Sequence, residues 1–144
     1  MRFMMIIKSN EQTDAGRIPT EAELAAMAGY NQQLADAGIL LAGEGLRDSG
    51  KGARVKKSGG KTTITDGPFT EAKELVAGFW IIQADSLAEA MEWAGRVPCP
   101  PHIELNLEVR EVVEAEHFGD AFTPELQEQE ARLRAQITES HQQG

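Results

Sequence analysis

Cysteine is almost missing from this 144-residue chain: Cys99, set between Pro98 and Pro100, is the only one. An internal disulfide is therefore impossible, a cysteine-built zinc site has no ligands to draw on, and a lone thiol fits a reducing compartment. Histidine occurs only at 102, 117 and 141, with no H-x-x-x-H spacing that would suggest a metal site. Aromatic residues are scarce, at 6%. Long hydrophobic runs are absent too. The apolar run Phe3–Ile7 ends at Lys8, Asn10 and Glu11, too short for a signal-peptide core and far below the ~20 residues that span a bilayer. The chain has no G-x-S-x-G, and Gly59-Gly60-Lys61 lacks the rest of a phosphate loop. These absences lead us to expect a cytoplasmic protein without membrane contact, metal or cofactor.

What is present suits a globular domain: 41% hydrophobic and 26% charged residues. Net charge is −9, of which the segment from Glu111 onward carries −6, with eight acids against two bases. A chain this acidic is not expected to attract nucleic acid. One stretch runs the other way: Arg47, Lys51, Arg54, Lys56, Lys57 and Lys61 have only Asp48 among them. A solvated hairpin that resists edge pairing explains them, as does an anion-binding arm or an arm docking on the acidic segment of another subunit. No aromatics interleave with these bases, which disfavours single-stranded nucleic acid.

Residues 2–8 form an apolar strand. Thr20 and Glu23 have capping-box spacing, which predicts a helix over 21–37 closed by Gly38. A strand at 39–42 follows, then a hairpin turning at Gly59-Gly60, whose two-residue loop sets Ser58 opposite Lys61, Lys57 opposite Thr62 and Val55 opposite Ile64. The most hydrophobic strand is 75–84. Ser86 and Glu89 start a second helix that Pro98 stops. Residues 103–109 alternate as a last strand, and Thr123 caps a final helix to His141 with Pro124 in its first turn.

The order predicts an α+β fold: a ferredoxin-like βαββαβ with an inserted β-hairpin, an antiparallel sheet and a C-terminal helix. The expected domains are 1–114 and an acidic helical extension, 115–144. Strands 2–8 and 75–84 would be central and are apolar on both faces, while helices cover only one face. A homodimer packed sheet to sheet would cover the other, as would the C-terminal segment folding back.

The run Asp66-Gly67-Pro68-Phe69-Thr70-Glu71-Ala72-Lys73-Glu74 resembles the signature of the DGPF, or YCII-related, proteins, D-G-P-F-x-E-x-K-E, at every fixed position. The resemblance extends to Gly43-Glu44-Gly45-Leu46, Gly78 and Ala90–Pro98, covering about residues 1–113. It implies a ferredoxin-like domain that dimerises into an α/β barrel. Some relatives are linked to sigma factors, and the wider group includes small enzymes acting on aromatic or lactone substrates. The YCII branch has a proposed His–Asp pair, and this chain has no histidine in its first hundred residues to fill it. The family's closing E-V-R-P is Glu108-Val109-Arg110-Glu111 here.

The candidate site follows from that loop. Asp66 is the candidate general base or acid and Glu44 its partner. The alternative makes Asp66 a turn former, through an Asx-type bond before Gly67 and Pro68. Phe69, Glu71 and Lys73 are the adjacent ligand-contact candidates, and Arg54 or Arg110 would hold an anionic group. Two functions stand side by side. One is a protein that binds a small anionic or aromatic molecule, with acid–base catalysis of isomerase or lyase type. The other is a non-catalytic regulatory or interaction domain using the acidic tail and basic hairpin.

Overall fold

A computed structural model describes residues 1–143. It falls into two compact units, Met1–Val112 and Val113–Gly144. The first contains β1 (Arg2–Lys8), α1 (Glu11–Asp14), α2 (Glu21–Asp36), β2 (Leu40–Gly45), β3 (Ala53–Ser58), β4 (Lys61–Asp66), β5 (Val76–Gln83), α3 (Leu87–Ala94) and β6 (Leu107–Glu111). The main sheet is antiparallel in the order β2-β5-β1-β6, the ferredoxin-like arrangement, and β3-β4 forms a separate two-stranded sheet.

The core lies between one face of this sheet and α2 and α3. Phe3, Met5, Trp80 and Ile82 meet Tyr30 and Leu34 of α2 and Ala90 and Ala94 of α3. Burying a side chain such as Phe3, Met5, Leu34 or Ile82 contributes about 1.5–3 kcal/mol. Tyr30 and Trp80 pack edge to face with ring centroids 5.4 Å apart. The polar tips of both rings are satisfied. The Tyr30 hydroxyl donates to the Trp93 carbonyl at 2.8 Å, and Trp80 Nε1 donates to Asn31 Oδ1 at 2.8 Å.

On the other face, strand pairing sets Glu44, Phe79, Ile6 and Glu108 in one row and Ala42, Ile81, Met4 and Arg110 in the next. Its centre is apolar and half-buried, and its edges are charged.

Local chemistry explains the boundaries. Thr20 Oγ1 accepts from Glu23 N at 3.2 Å and Ser86 Oγ from Glu89 N at 3.1 Å, so both expected caps form. Neither box closes as expected. Glu23 turns to Arg17 instead, and Glu89 accepts from Asp85 N at 2.8 Å. The hairpin pairs in the expected register, with positive φ at both Gly59 (57°) and Gly60 (78°). The last strand starts later than its alternation suggests. Ile103 and Leu105 point inward like strand residues, but the ladder with β1 begins only at Leu107. α3 ends at Ala94, ahead of Pro98. The polar loop after β1 contains α1, capped by Asn10, whose Oδ1 accepts from Thr13 N at 2.8 Å.

The second unit holds α4 (Pro124–Gln143), capped by Thr123, whose Oγ1 accepts from Leu126 N at 3.2 Å. Phe118 and Phe122 stack ahead of it with centroids 5.4 Å apart. Leu126, Leu133 and Ile137 leave an exposed apolar stripe along it. No helix among the described residues is long and apolar enough to cross a membrane.

Candidate functional site

The loop Asp66–Phe69 is built around a backbone contact. A Cβ on Gly67 would lie 1.7 Å from the carbonyl oxygen of Ser49, so only glycine fits. Gly67 N donates to the Gly52 carbonyl at 3.0 Å, and Phe69 N donates to Ser49 Oγ at 3.0 Å. Ser49 is held in turn by Asp14, whose carboxylate accepts from Ser49 N and from Ser49 Oγ, each at 2.7 Å. The hydroxyl is thus donor to Asp14 and acceptor from Phe69, joining α1, the 49–52 turn and the loop. Those two bonds hold the Asp14 carboxyl below its ordinary value, the side-chain bond from Ser49 being the larger cause.

The expected site residues do not converge. Asp66 ends β4 opposite Ala53, is exposed, and makes no side-chain hydrogen bond or ion pair among the described residues, so the Asx-type bond is not formed. Glu44 and Arg110 share the sheet face opposite α2 and α3 but lie on opposite edge strands, three strand spacings or roughly 14 Å apart. Arg54 and Phe69 do meet: the guanidinium carbon sits 3.9 Å from the ring centroid, a cation–π contact worth about 0.5–1 kcal/mol when exposed. Glu71 precedes a 3₁₀ turn, Ala72–Glu74, that contains Lys73, and both side chains are exposed. Among the described residues no cluster of three or more His, Cys, Asp or Glu is arranged to hold a metal.

The prominent concavity lies elsewhere. A cavity of about 1080 Å³ opens where β1 and β2 end and α2 begins, bounded also by the 98–105 loop. Ile7, Leu24, Met27, Leu46, Ile103 and Leu105 give it an apolar lining. Its charged lining is Lys8, Arg17, Glu23, Arg47, Asp48 and Lys51. Arg17 and Glu23 form a two-pronged ion pair with contacts of 2.9 and 2.5 Å, which raises the arginine and lowers the glutamate from their ordinary values. Neither Asp66 nor Glu44 lines this cavity.

Sequence reasoning missed this wall because its parts are far apart in the chain. Its lining draws on residues 7–27, 45–51, 77 and 98–105, and the Asp14–Ser49 pair that braces the 47–51 segment from behind is itself 35 residues apart. One signal was available: Asn10 followed by Glu11 and Asp14 reads as a capped helix start with acids in its first turn. Arg47 and Lys51 were visible only as members of a longer basic stretch. The structure divides that stretch, sending these two to the cavity and Lys56, Lys57 and Lys61 to the exposed hairpin.

The YCII-related domain model matches residues 1–116. The chain belongs to the YCII-related family. One curated relative, an uncharacterized protein of Rhizobium meliloti (strain 1021), is 45% identical over 42 residues, which is 29% of this chain and 34% of that protein. The match therefore spans about a third of the relative's length. Among solved structures, the YCII-related chain is similar to 5-chloro-2-hydroxyhydroquinone dehydrochlorinase (TftG) from Burkholderia phenoliruptrix AC1100 in complex with 2,5-dihydroxybenzoquinone. The identity is 18%, covering 81% of this chain and 98% of that one, with a TM-score of 0.39.

Proposed function

We propose that this YCII-related domain binds a small organic molecule in the cavity at the start of α2, and that a second copy covers the sheet face opposite α2 and α3. The observation that carries the binding reading is the cavity itself. Its about 1080 Å³ and its apolar lining with a few charged groups fit a small-molecule site. The dimer is supported by the apolar centre of the sheet face opposite α2 and α3: Met4, Ile6, Phe79 and Ile81.

Acid–base catalysis with Asp66 and Glu44 is the finer version of this reading, with Arg54, Phe69, Glu71, Lys73 and Arg110 as ligand contacts. Asp66 is exposed and outside the cavity, so it reaches a bound molecule only if another surface closes over it. Catalysis by this pair is thereby tied to the dimer. The apolar stripe on α4 favours a second reading, an interaction domain whose 115–144 extension contacts a protein partner.

The test is a binding screen of small carboxylates, phenols and lactones against the wild type, Ala26→Trp (which sets a bulky ring on the cavity wall) and Asp66→Asn. Binding lost in Ala26→Trp supports the cavity reading, and turnover lost in Asp66→Asn supports the catalytic version. Ligands that bind equally well to Ala26→Trp would overturn the cavity reading. Sedimentation of the wild type beside Ile6→Lys tests the dimer, and a monomeric wild type would end it.

A further inference from the structure

The charges that line the cavity are not balanced. Arg17 and Glu23 consume one another. Of the remaining lining charges, Lys8, Arg47 and Lys51 are positive and Asp48 alone is negative. Arg47 and Lys51 make no side-chain hydrogen bond or ion pair among the described residues, and Lys8 Nζ reaches only the Glu74 carbonyl, at 3.4 Å. In a chain of net charge −9, this is a local excess of positive charge on the wall of a concavity.

The segment bearing Arg47 and Lys51 is also tied at several points. Lys51 N donates to the Asp48 carbonyl at 3.0 Å, Ser49 is gripped twice by Asp14, and the Gly67–Phe69 backbone donates to Gly52 and Ser49 from behind. Cations carried on a fixed backbone lose less freedom on binding an anion than cations on a mobile arm. An arginine guanidinium also matches the planar, two-pronged geometry of a carboxylate or phosphate. Beside these cations the lining is apolar, so the cavity offers one charged end and one greasy one.

We propose that Arg47 and Lys51 are the anion-binding wall of the cavity and that its ligand class is small amphipathic acids: a carboxylate, sulfonate or phosphate on an apolar or aromatic body. The proposal rests on the cavity reading above and specifies what that cavity accepts. It gives the Asp66–Phe69 loop a role at a distance, that of clamping the 47–52 wall through Ser49. Asp14 becomes a positioning residue for the same wall.

Two fluorescent probes of similar shape test it: anilinonaphthalene sulfonate, which is anionic, and N-phenylnaphthylamine, which is neutral. The variants are Arg47→Gln/Lys51→Gln, Lys56→Gln/Lys57→Gln as a charge-matched control on the hairpin, and Ala26→Trp. All substituted positions are exposed, so the variants are expected to fold, and melting curves check this. The wild type should bind the anionic probe more tightly. The Arg47/Lys51 pair of substitutions should weaken it about tenfold or more, as expected for charge-assisted contacts. Neutral-probe binding and the hairpin control should be unchanged. Equal weakening by the hairpin control would reduce the effect to diffuse attraction and overturn the assignment. Loss of both probes in Ala26→Trp, without sensitivity to Arg47/Lys51, would keep the cavity and overturn the anion wall. Probes that bind Ala26→Trp as well as the wild type, or fail to bind the wild type, would overturn the cavity reading and this inference with it.

Discussion

β1 and β5 pair over seven residues and β3 and β4 over six, both antiparallel, yet the two ladders differ in what holds them. β1 and β5 are each buried against α2 and α3, and their hydrogen bonds sit on top of a packed core. All twelve residues of β3 and β4 are exposed, with Val55 61% and Ile64 68% accessible. A lone hairpin is marginal in water. This one is secured at its base, where Gly67 closes on Ser49 and Gly52, rather than along its length. Strand pairing alone therefore says little about stability. What lies beneath or behind the ladder decides it.

Substitutions on either side should separate the two regimes. The largest loss is expected from Trp80→Ala, which removes a buried ring and its bond to Asn31 and should cost about 3–5 kcal/mol in a urea titration. Gly67→Ala should come next, at about 3 kcal/mol, because the loop and the 49–52 turn must separate to admit a methyl group. Its proteolytic sensitivity should rise at the hairpin and not in the main sheet. If Gly67→Ala proves neutral, the hairpin is not held at its base.

Tyr30→Phe should cost about 1 kcal/mol, because the Trp93 carbonyl loses the hydroxyl and keeps the Arg96 N–H as donor. Burial pushes the Tyr30 phenol up to about 12. Its contribution is therefore full below pH ~10 and lost as pH rises toward 12, and the phenylalanine variant should flatten that alkaline limb. Asp14 works at the opposite end. Its folded carboxyl is held below the ordinary 3.8, so its contribution is full above that pH and lost as pH falls through the lower folded value. Asp14→Asn should lower the melting temperature at neutral pH and flatten the acid limb. The smallest effect is expected from Val55→Thr, within about 0.5 kcal/mol, since the hairpin face it sits on is open.

The parts of the fold that were legible in the sequence are those that neighbouring residues decide. Two glycines set the hairpin turn and register, Thr20 and Ser86 announced their helices, and the element order with two doubly apolar strands gave the sheet order. The start of β6 was misjudged because Ile103 and Leu105 alternate as a strand would, while hydrogen-bond partners begin only at Lys8 N and Asn106 O. The loop Asp66–Phe69 was visible as a motif, but what it presses against was not. Ser49 and Asp14 carry no motif of their own, and a cavity drawn from several separate segments leaves no periodic trace.

Gly67 N reaches the Gly52 carbonyl at 3.0 Å, so the chain leaves for the hairpin and returns from it at nearly the same point. For the rest of the domain, residues 53–66 amount to a closed detour, and the cost of closing a loop grows only slowly with its length. Insertions and deletions should accumulate at the Gly59-Gly60 tip without being felt by the sheet, whereas a single residue added to 47–52 or 67–69 would shift the wall of the cavity. Across related chains, length should vary freely at the one place and stay fixed at the other.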